Sequence, residues 1–176
     1  MKELSLNMLD IAMNSVKAKA KNISISIMDE GDTMSVVIKD DGSGMSQDTL
    51  KRVTDPFYTT RTTRKVGLGI PFYILAAEQT GGKVEIISQT EEPSGTTVSA
   101  LFYKNHIDCL PLGDIISTFL TLIQGNPNID FLFTHNSVNL NTKELKEVLG
   151  DVPLSSPEVL VWIREFLEEQ YKENNK

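Results

Sequence analysis

The segment DIAMNSVKAKAKNISISI, residues 10–27, contains two hydrophobic periods side by side. Its first half belongs to a stretch with apolar side chains at helical spacing, which predicts an amphipathic helix over residues 3–20 with a second, polar face. The apolar positions of that helix are Leu6, Leu9, Met13 and Val16. The stretch NISISIM (22–28) alternates apolar and polar residues, which predicts a strand. The fold is therefore expected to begin with a helix that leads directly into a sheet.

Two β-hairpins are predicted further along the chain. The first strand pairs with MSVVIK (34–39), and KVEIISQ (83–89) pairs with GTTVSALFY (95–103). Between the hairpins, SQDTLKRV (46–53) predicts a short helix that Ser46 caps, and IPFYILAAEQ (70–79) predicts a buried helix. This order predicts an α+β fold, a two-layer α/β sandwich with helices on one face of a mostly antiparallel sheet.

The pattern changes near residue 106, so we expect residues 1–105 to form one domain and residues 106–176 a small α/β extension that packs on it. The predicted elements of the extension are a helix at 112–123, strands at 129–135 and 137–141, and helices at 142–149 and from 157 onward. Ser156 followed by Pro157 predicts the start of the last helix, because the serine side chain caps free amides and proline needs no donor there.

The composition excludes several classes of function. The net charge of −7 over 176 residues argues against nucleic acid or an anionic membrane as the main partner. A single cysteine, Cys109, cannot form an internal disulfide, and the N-terminal segment has Asp10 where a signal peptide would be apolar. No apolar run reaches the roughly 18 residues of a membrane helix. We therefore expect a cytoplasmic protein that is not a membrane receptor.

The sequence DDGSGM (40–45) follows a predicted strand and combines carboxylates with glycines. Glycine allows close approach of the backbone to a flat ligand, and a buried Asp40 can accept a hydrogen bond from the exocyclic amine of adenine. Guanine would present a carbonyl oxygen at that point instead. The same residues are also typical of an ordinary turn or of part of a calcium loop.

Asp10 and Asn14 are four residues apart and project from one helical face. An asparagine oxygen can complete the shell of a magnesium ion whose other ligands are phosphate oxygens and water, and a carboxylate can orient or deprotonate a water. Glu3 and Asn7 repeat this spacing upstream. A solvated polar face is the alternative interpretation of both pairs.

The segment DPFYTTRTTRKVGLG (55–69) concentrates hydroxyls and cations in an acidic chain. Small residues at the start of a helix, as in GLG (67–69), can hold a phosphate on free amides. The residues before them predict a flap over a polyphosphate, anchored by an apolar hinge at 55–57, although a surface loop has the same composition. The flap residues are Thr59, Thr60, Arg61, Thr62, Thr63, Arg64 and Lys65.

Five segments together resemble the ATP-binding (Bergerat) fold of gyrase, the heat-shock chaperone, histidine kinases and mismatch-repair ATPases, the GHKL superfamily. DIAMNSVKAKAKNISISI is similar to the N box, and this similarity selects Asp10 and Asn14 over the upstream pair. DDGSGM is similar to the first glycine box, DPFYTT and VGLGI to the phenylalanine and second glycine boxes, and GTTVSALF to the closing box. The sequence lies nearest the histidine kinases and the anti-sigma-factor serine kinases.

The resemblance implies that the protein binds ATP or ADP with Mg²⁺. Asn14 would bind the magnesium ion, Asp10 would act in catalysis, and Asp40 would select adenine with support from the hydroxyl of Thr96. The residues implied to contact the nucleotide are Asn14, Lys17, Asp40, Gly42, Gly44, Met45, Phe57, Thr59, Thr60, Arg61, Arg64, Lys65, Gly67, Leu68, Gly69 and Thr96.

The sequence also departs from the family pattern. Asp10 is one methylene shorter than the glutamate base of the hydrolysing branches, and Val66 replaces a frequent glycine. Only nine residues precede Asp10, so the dimerising phosphoacceptor module of a sensor kinase is not expected here. His106, in HIDCLPL, is a candidate phosphoacceptor, and the alternative is an ordinary surface or packing residue.

Two functions follow as expectations. The first is a regulatory protein kinase or slow ATPase in signal transduction, which uses MgATP to modify an unidentified regulatory or phosphoacceptor protein. The second is a switch similar to anti-sigma factors, in which bound ATP gates the docking of a partner with little or no turnover. A homodimer is compatible with either function.

Overall fold

The computed structural model describes residues 3–55 and 68–176. The helices are α1 (Leu4–Lys17), α2 (Gln47–Thr54), α3 (Gly69–Gln79), α4 (Ile115–Gly125), α5 (Thr142–Leu149) and α6 (Pro157–Asn174). The strands are β1 (Asn22–Glu30), β2 (Thr33–Asp40), β3 (Lys83–Gln89), β4 (Gly95–Tyr103), β5 (Asp130–His135) and β6 (Val138–Asn141).

The strands form one sheet in the order β3-β4-β2-β1-β5-β6. Both predicted hairpins are present and antiparallel, with Ile25 opposite Ile38 in the first and Ile86 opposite Val98 in the second. The β1–β5 pair is parallel, whereas the other neighbouring pairs are antiparallel. The prediction of an α+β fold with a mostly antiparallel sheet is therefore confirmed.

The alternation of strand β2 fixes the position of Asp40. Met34, Val36 and Ile38 point into the core, and the same period of two brings the side chain of Asp40 to the buried face at the end of the strand. The core on this face also receives α1, α3 and α4. A carboxylate therefore lies at the edge of an otherwise apolar layer.

Helix α1 forms where the sequence predicts it, and the predicted apolar positions Leu9, Met13 and Val16 are partly buried against the core, but the fully buried face lies beside them. The buried side chains are those of Leu4, Met8, Ile11 and Ser15, among others, whereas Leu6 is 42% exposed. The cause is that α1 packs against the sheet and also against α3 and α4. A helix with neighbours on several sides buries more than the single stripe that a pattern of large apolar residues indicates.

Residues 106–176 continue the sheet that the first hairpins begin, because β5 adds to β1 and β6 adds to β5. Helix α4 contacts α1 on one side and α6 on the other. No break in the sheet marks residue 105, and the division into two domains stays a prediction.

Helix α6 is tied to the sheet by polar side chains. Gln170 accepts a hydrogen bond from the backbone N–H of Asn139 (3.1 Å) and donates one to its carbonyl (2.9 Å), which covers part of the β6 edge. The hydroxyl of Tyr171 lies 2.8 Å from Nδ1 of His135, and Nε2 of His135 lies 2.6 Å from a carboxylate oxygen of Asp29.

The start of α6 corrects one detail of the sequence interpretation. Pro157 is at the first helical position as predicted, but the Ser156 side chain makes no capping hydrogen bond, and its hydroxyl oxygen is buried without a hydrogen-bond partner among the described residues. By contrast, Ser46 accepts a hydrogen bond from the N–H of Thr49 and caps α2 as predicted.

Candidate functional site

A cavity of about 180 Å³ lies between α1, β2, β4 and α3. Apolar side chains from α1, α2, α3 and β4 form much of its wall: Ile11, Val53, Ile70 and Val98. Pockets that enclose whole small molecules usually measure about 300–1,000 Å³. A cavity of this size and lining therefore suits one part of a larger ligand.

Five of the predicted site residues line this cavity: Asn14, Asp40, Gly44, Met45 and Thr96. They are contributed by a helix, the end of a strand, the loop after that strand and the start of another strand. The segments DIAMN, DDGSGM and GTTVS, distant in sequence, therefore meet at one place. Polar groups here converge on a cavity whose remaining wall is largely apolar.

Asp40 is the most strongly held polar group of the cavity. Its residue is only 8% exposed. Oδ2 accepts a hydrogen bond from the Ser15 hydroxyl (2.6 Å), and Oδ1 accepts bonds from the N–H groups of Gly42 (2.8 Å) and Thr96 (3.3 Å). A buried carboxylate needs such donors, because removing it from water without them would be costly. Their positions fix the carboxylate plane at the cavity wall.

A second set of hydrogen bonds joins the loop after β2 to the second hairpin. The hydroxyls of Ser88 and Thr96 lie 2.7 Å apart, and the N–H of Met45 donates to Ser88 Oγ at 2.7 Å. Ser94 donates to the carbonyl of Gly42 at 2.8 Å. The loop that carries the two glycines is thereby held against β3 and β4.

Both glycines of DDGSGM occupy crowded positions. Gly44 has φ of 69°, and a Cβ atom there would lie 1.9 Å from the carbonyl oxygen of Gln89. A Cβ atom on Gly42 would lie 2.8 Å from the Cβ of Ala18. Any residue other than glycine at these positions would require a local rearrangement of the backbone.

The two acid–amide pairs at α1, Asp10 with Asn14 and Glu3 with Asn7, lie in different surroundings. Asn14 borders the cavity, whereas Asn7 is 2% exposed and is not among the cavity residues. Glu3 accepts a hydrogen bond from the N–H of Asp114 (3.4 Å), away from the cavity. Asp10 lies beside the start of α3, since a Cβ atom on Gly69 would be 3.1 Å from the Cβ of Asp10.

The remaining predicted residues divide into two groups. Lys17 is exposed at the end of α1 and is not among the cavity residues, and Leu68 is half-buried immediately before α3. The other predicted residues lie outside the described part of the chain: Phe57, Thr59, Thr60, Arg61, Arg64, Lys65 and Gly67. Their predicted roles in a flap over the phosphates stay predictions.

Sequence reasoning missed Ser15, Ala18 and Ser88. Ser15 supplies the shortest hydrogen bond to Asp40, and Ser88 supports both Thr96 and Met45. A signal for Ser15 was available, because a small polar residue directly after Asn14 lies on the side of α1 that packs inward. No comparable signal marks Ser88, which occupies one of the inward positions of a short alternating strand.

His106 lies at the end of the sheet away from the cavity. It follows β4, which begins beside Asp40 at Thr96 and ends at Tyr103. At roughly 3.3 Å per strand residue, about 23 Å separate these two ends. Transfer of a group from this cavity to His106 of the same molecule is not compatible with that distance.

The described residues contain neither a cluster of metal ligands nor a membrane-spanning helix. Within residues 3–55 and 68–176, no group of three or more His, Cys, Asp and Glu side chains is arranged to hold a metal ion. Over the same residues, no helix is both long enough and apolar enough to cross a bilayer.

Comparison with known proteins gives matches in the same region. The sequence profile of the family described as histidine kinase-, DNA gyrase B- and HSP90-like ATPase matches residues 1–106. Sporulation kinases E and C of Bacillus subtilis (strain 168) are 37% identical over 98 residues and 30% identical over 88 residues, respectively. These alignments cover 54% and 49% of this chain, but only 13% and 20% of the two kinases.

The fold is also found among solved structures. The ATPase domain of MutL from Aquifex aeolicus, solved in complex with ADP, aligns with a TM-score of 0.56 and 14% sequence identity. The alignment covers 85% of this chain and 69% of the MutL chain. At this identity the similarity is one of fold.

Proposed function

Because the chain belongs to the family of histidine kinase-, DNA gyrase B- and HSP90-like ATPases, we propose that it binds MgATP and acts as a regulatory protein kinase or slow ATPase in signal transduction. The observation that carries the proposal is the buried carboxylate of Asp40 in the wall of a largely apolar cavity. ATP and its product ADP would be the ligands, and an unidentified protein in the cytoplasm would receive the signal.

The hydrogen bonds of Asp40 support selection of adenine. A carboxylate offers about four acceptor sites, and the described donors are Ser15, Gly42 and Thr96. One acceptor site therefore remains for the exocyclic amine of adenine. Guanine would direct a carbonyl oxygen at the same carboxylate, and such a pair of acceptors is unfavourable in a desolvated site.

Asn14 would hold the magnesium ion. Its oxygen is the type of neutral ligand that Mg²⁺ accepts, and it borders the cavity. Magnesium usually retains waters and substrate phosphates as its other ligands, so the lack of an acidic cluster in the described residues fits this role. When bound, MgATP supplies a transferable γ-phosphoryl group whose charge the metal partly neutralises.

Asp10 and the start of α3 would act on the phosphate side of the site. The contact between Gly69 and Asp10 brings a carboxylate next to a helix N-terminus, where amides favour an anion. We propose that Asp10 polarises the attacking group of water or of the partner side chain, and that α3 orients the phosphates. Gly67, Arg61 and Arg64 would complete the phosphate contacts, on the basis of their resemblance to the family motifs.

A titration of the protein with ATP tests the proposal. ATP should bind with Mg²⁺ more tightly than without it, and more tightly than GTP. Asn14→Ala should abolish the magnesium dependence, because the side chain at the cavity edge is removed, while the folding of α1 is retained because alanine favours a helix. Asn7→Ala is not a suitable control, since Asn7 is buried. Asn139→Ala is suitable, because Asn139 is exposed on β6. Unchanged ATP binding in Asn14→Ala would remove Asn14 from the site.

Asp10 favours a second candidate function. It is one methylene shorter than the glutamate base of the hydrolysing branches, so water activation would be inefficient. In that case ATP would act as a switch ligand, as in anti-sigma factors, and the ATP-bound form would dock a partner. Incubation with γ-labelled ATP separates the two functions. Label on a protein or in free phosphate supports turnover, and intact ATP with tight binding supports the switch.

A further inference from the structure

Helix α6 carries an aromatic pair at the protein surface, in which Trp162 is exposed and Phe166 is partly buried against the core. The rings of Trp162 and Phe166 are stacked, with centroids 5.0 Å apart and an interplanar angle of 10°. Trp162 is 48% exposed, whereas Val159, Ile163 and Leu167 of the same helix are buried. The helix therefore packs on the core through one side and leaves the largest of its side chains outside. Exposed aromatic residues of this size often mark interaction sites.

Four carboxylates follow the same side of α6 as Trp162. Glu158, Glu165, Glu169 and Glu173 lie four residues before and three, seven and eleven residues after Trp162, so they share its side of the helix. All four are exposed. Among the residues that the structure describes, none of the four takes part in an ion pair. We call Glu158, Trp162, Glu165, Phe166, Glu169 and Glu173 the aromatic–acidic patch.

We propose that the aromatic–acidic patch docks a basic amphipathic segment of another protein. Lysine and arginine side chains would pair with the four carboxylates, and one cation can also lie over the indole face of Trp162. The apolar side of the segment would cover the stacked rings and remove them from water. The patch would therefore supply both the apolar centre and the charged rim that protein interfaces require.

The charge of the patch selects this occupant over the alternatives. A second copy of the chain would bring another four carboxylates against the first four, which is repulsive. Anionic lipids and nucleic acids would be repelled for the same reason. A segment rich in lysine or arginine is attracted at a distance and also desolvates the rings on contact.

The patch is separate from the candidate nucleotide site. No residue of α6 lines that cavity, and α6 packs on α4 and on the edge strand β6. The proposal therefore goes beyond the proposed function and does not depend on nucleotide binding. Failure of ATP to bind would leave it intact, and failure of the patch to dock a basic segment would leave the nucleotide site intact.

Trp162 makes the test specific, because it is the only tryptophan of the chain. The probe is a synthetic amphipathic helix of lysine and leucine with a fluorescent label, whose affinity is measured by anisotropy. The same helix with glutamate in place of lysine is the peptide control. Binding of the lysine peptide should change the emission of Trp162, and higher salt should weaken it.

Two double variants separate the patch from the overall negative charge. Glu165→Gln with Glu169→Gln should weaken binding about fivefold, through loss of two exposed ion pairs. Glu91→Gln with Glu92→Gln removes the same charge from the turn between β3 and β4, at the opposite edge of the sheet from α6, and should leave binding unchanged. Trp162→Ala should weaken binding about 30-fold. All these residues are exposed, so the far-ultraviolet circular dichroism should match the wild type.

Several results would overturn the proposal. They are equal effects of the two double variants, an unchanged Trp162 emission at saturating peptide, equal binding of the glutamate peptide, and no binding of the lysine peptide. Self-association that Trp162→Ala abolishes would also overturn it, because a second copy would then be the occupant. Weakening confined to the two patch variants, together with a change of Trp162 emission, would support it.

Discussion

Replacement of Asp40 by asparagine changes the charge and the donor pattern of the cavity wall while it preserves the shape of the side chain. If the amide oxygen takes the position of Oδ1, it can still accept from Gly42 and Thr96, which lie 2.8 and 3.3 Å away. The amide nitrogen then takes the position of Oδ2, where the Ser15 hydroxyl can reverse its role and accept. The exocyclic amine of adenine would meet a donor instead of an acceptor.

The expected loss of ATP affinity follows from this exchange of an acceptor for a donor opposite the adenine amine. A hydrogen bond to a charged group contributes about 1.5–3 kcal/mol, so ATP should bind roughly 10- to 150-fold more weakly to Asp40→Asn. The free energy of unfolding should fall by only about 1 kcal/mol, because the contacts within the protein can be largely re-formed. Isothermal titration calorimetry with MgATP and urea denaturation measure the two quantities on the same preparation.

Asp41→Asn is the matched control. Asp41 accepts hydrogen bonds from the N–H groups of Lys21 and Asn22 at 2.8 and 2.9 Å and from the side-chain amide of Asn22 at 2.8 Å, and it is exposed. Its replacement should lower stability by a similar amount, about 1 kcal/mol, with ATP affinity unchanged. A role of Asp40 in adenine binding is contradicted if Asp40→Asn binds ATP within about twofold of the wild type, or if both variants lose affinity equally.

Three further predictions concern stability and shape. Gly44→Ala should disorder the loop after β2 and lower the ATP affinity at least about tenfold, because the new Cβ would overlap the carbonyl of Gln89. Circular dichroism checks that the variant is folded, and calorimetry measures its ATP affinity. Burial alone would raise the pKa of Asp29, but hydrogen bonds from His135 and Lys104 hold this pKa below 3.8. Asp29 therefore stabilises the fold above about pH 4, and this contribution is lost as the pH falls through the lowered pKa. Asp29→Asn should therefore be less stable at pH 7 and lose less stability on acidification, as thermal melts from pH 7 to pH 3 would show. Ser156→Ala should leave the melting temperature unchanged or raise it, because the serine hydroxyl makes no capping hydrogen bond. A decrease of about 1 kcal/mol in the free energy of unfolding would instead indicate that Ser156 caps α6.

The sequence was most informative where one local pattern determines the structure. Alternation in two pairs of segments was enough to predict both hairpins, and the same alternation carried Asp40 to the buried side of β2. In these cases the physical cause acts within a few residues, so it can be inferred before the tertiary structure is known.

The details that the sequence did not predict depend on contacts between distant segments. The parallel pairing of β1 with β5 joins residues more than one hundred positions apart, and no local period encodes it. The buried face of α1 depends on three neighbouring elements, so Ser15 became a partner of Asp40 while Leu6 stayed exposed. Ser156 has the sequence of a helix cap, but its hydroxyl is directed into a buried position instead.

A crystal structure of the protein with Mg²⁺ and a non-hydrolysable ATP analogue would locate the base and the metal together. We expect the purine in the cavity between α1, β2 and β4, with its exocyclic amine within hydrogen-bond distance of Asp40 and the metal bound to Asn14. A base found elsewhere on the protein, or a base in the cavity whose amine is directed away from Asp40, would contradict this expectation.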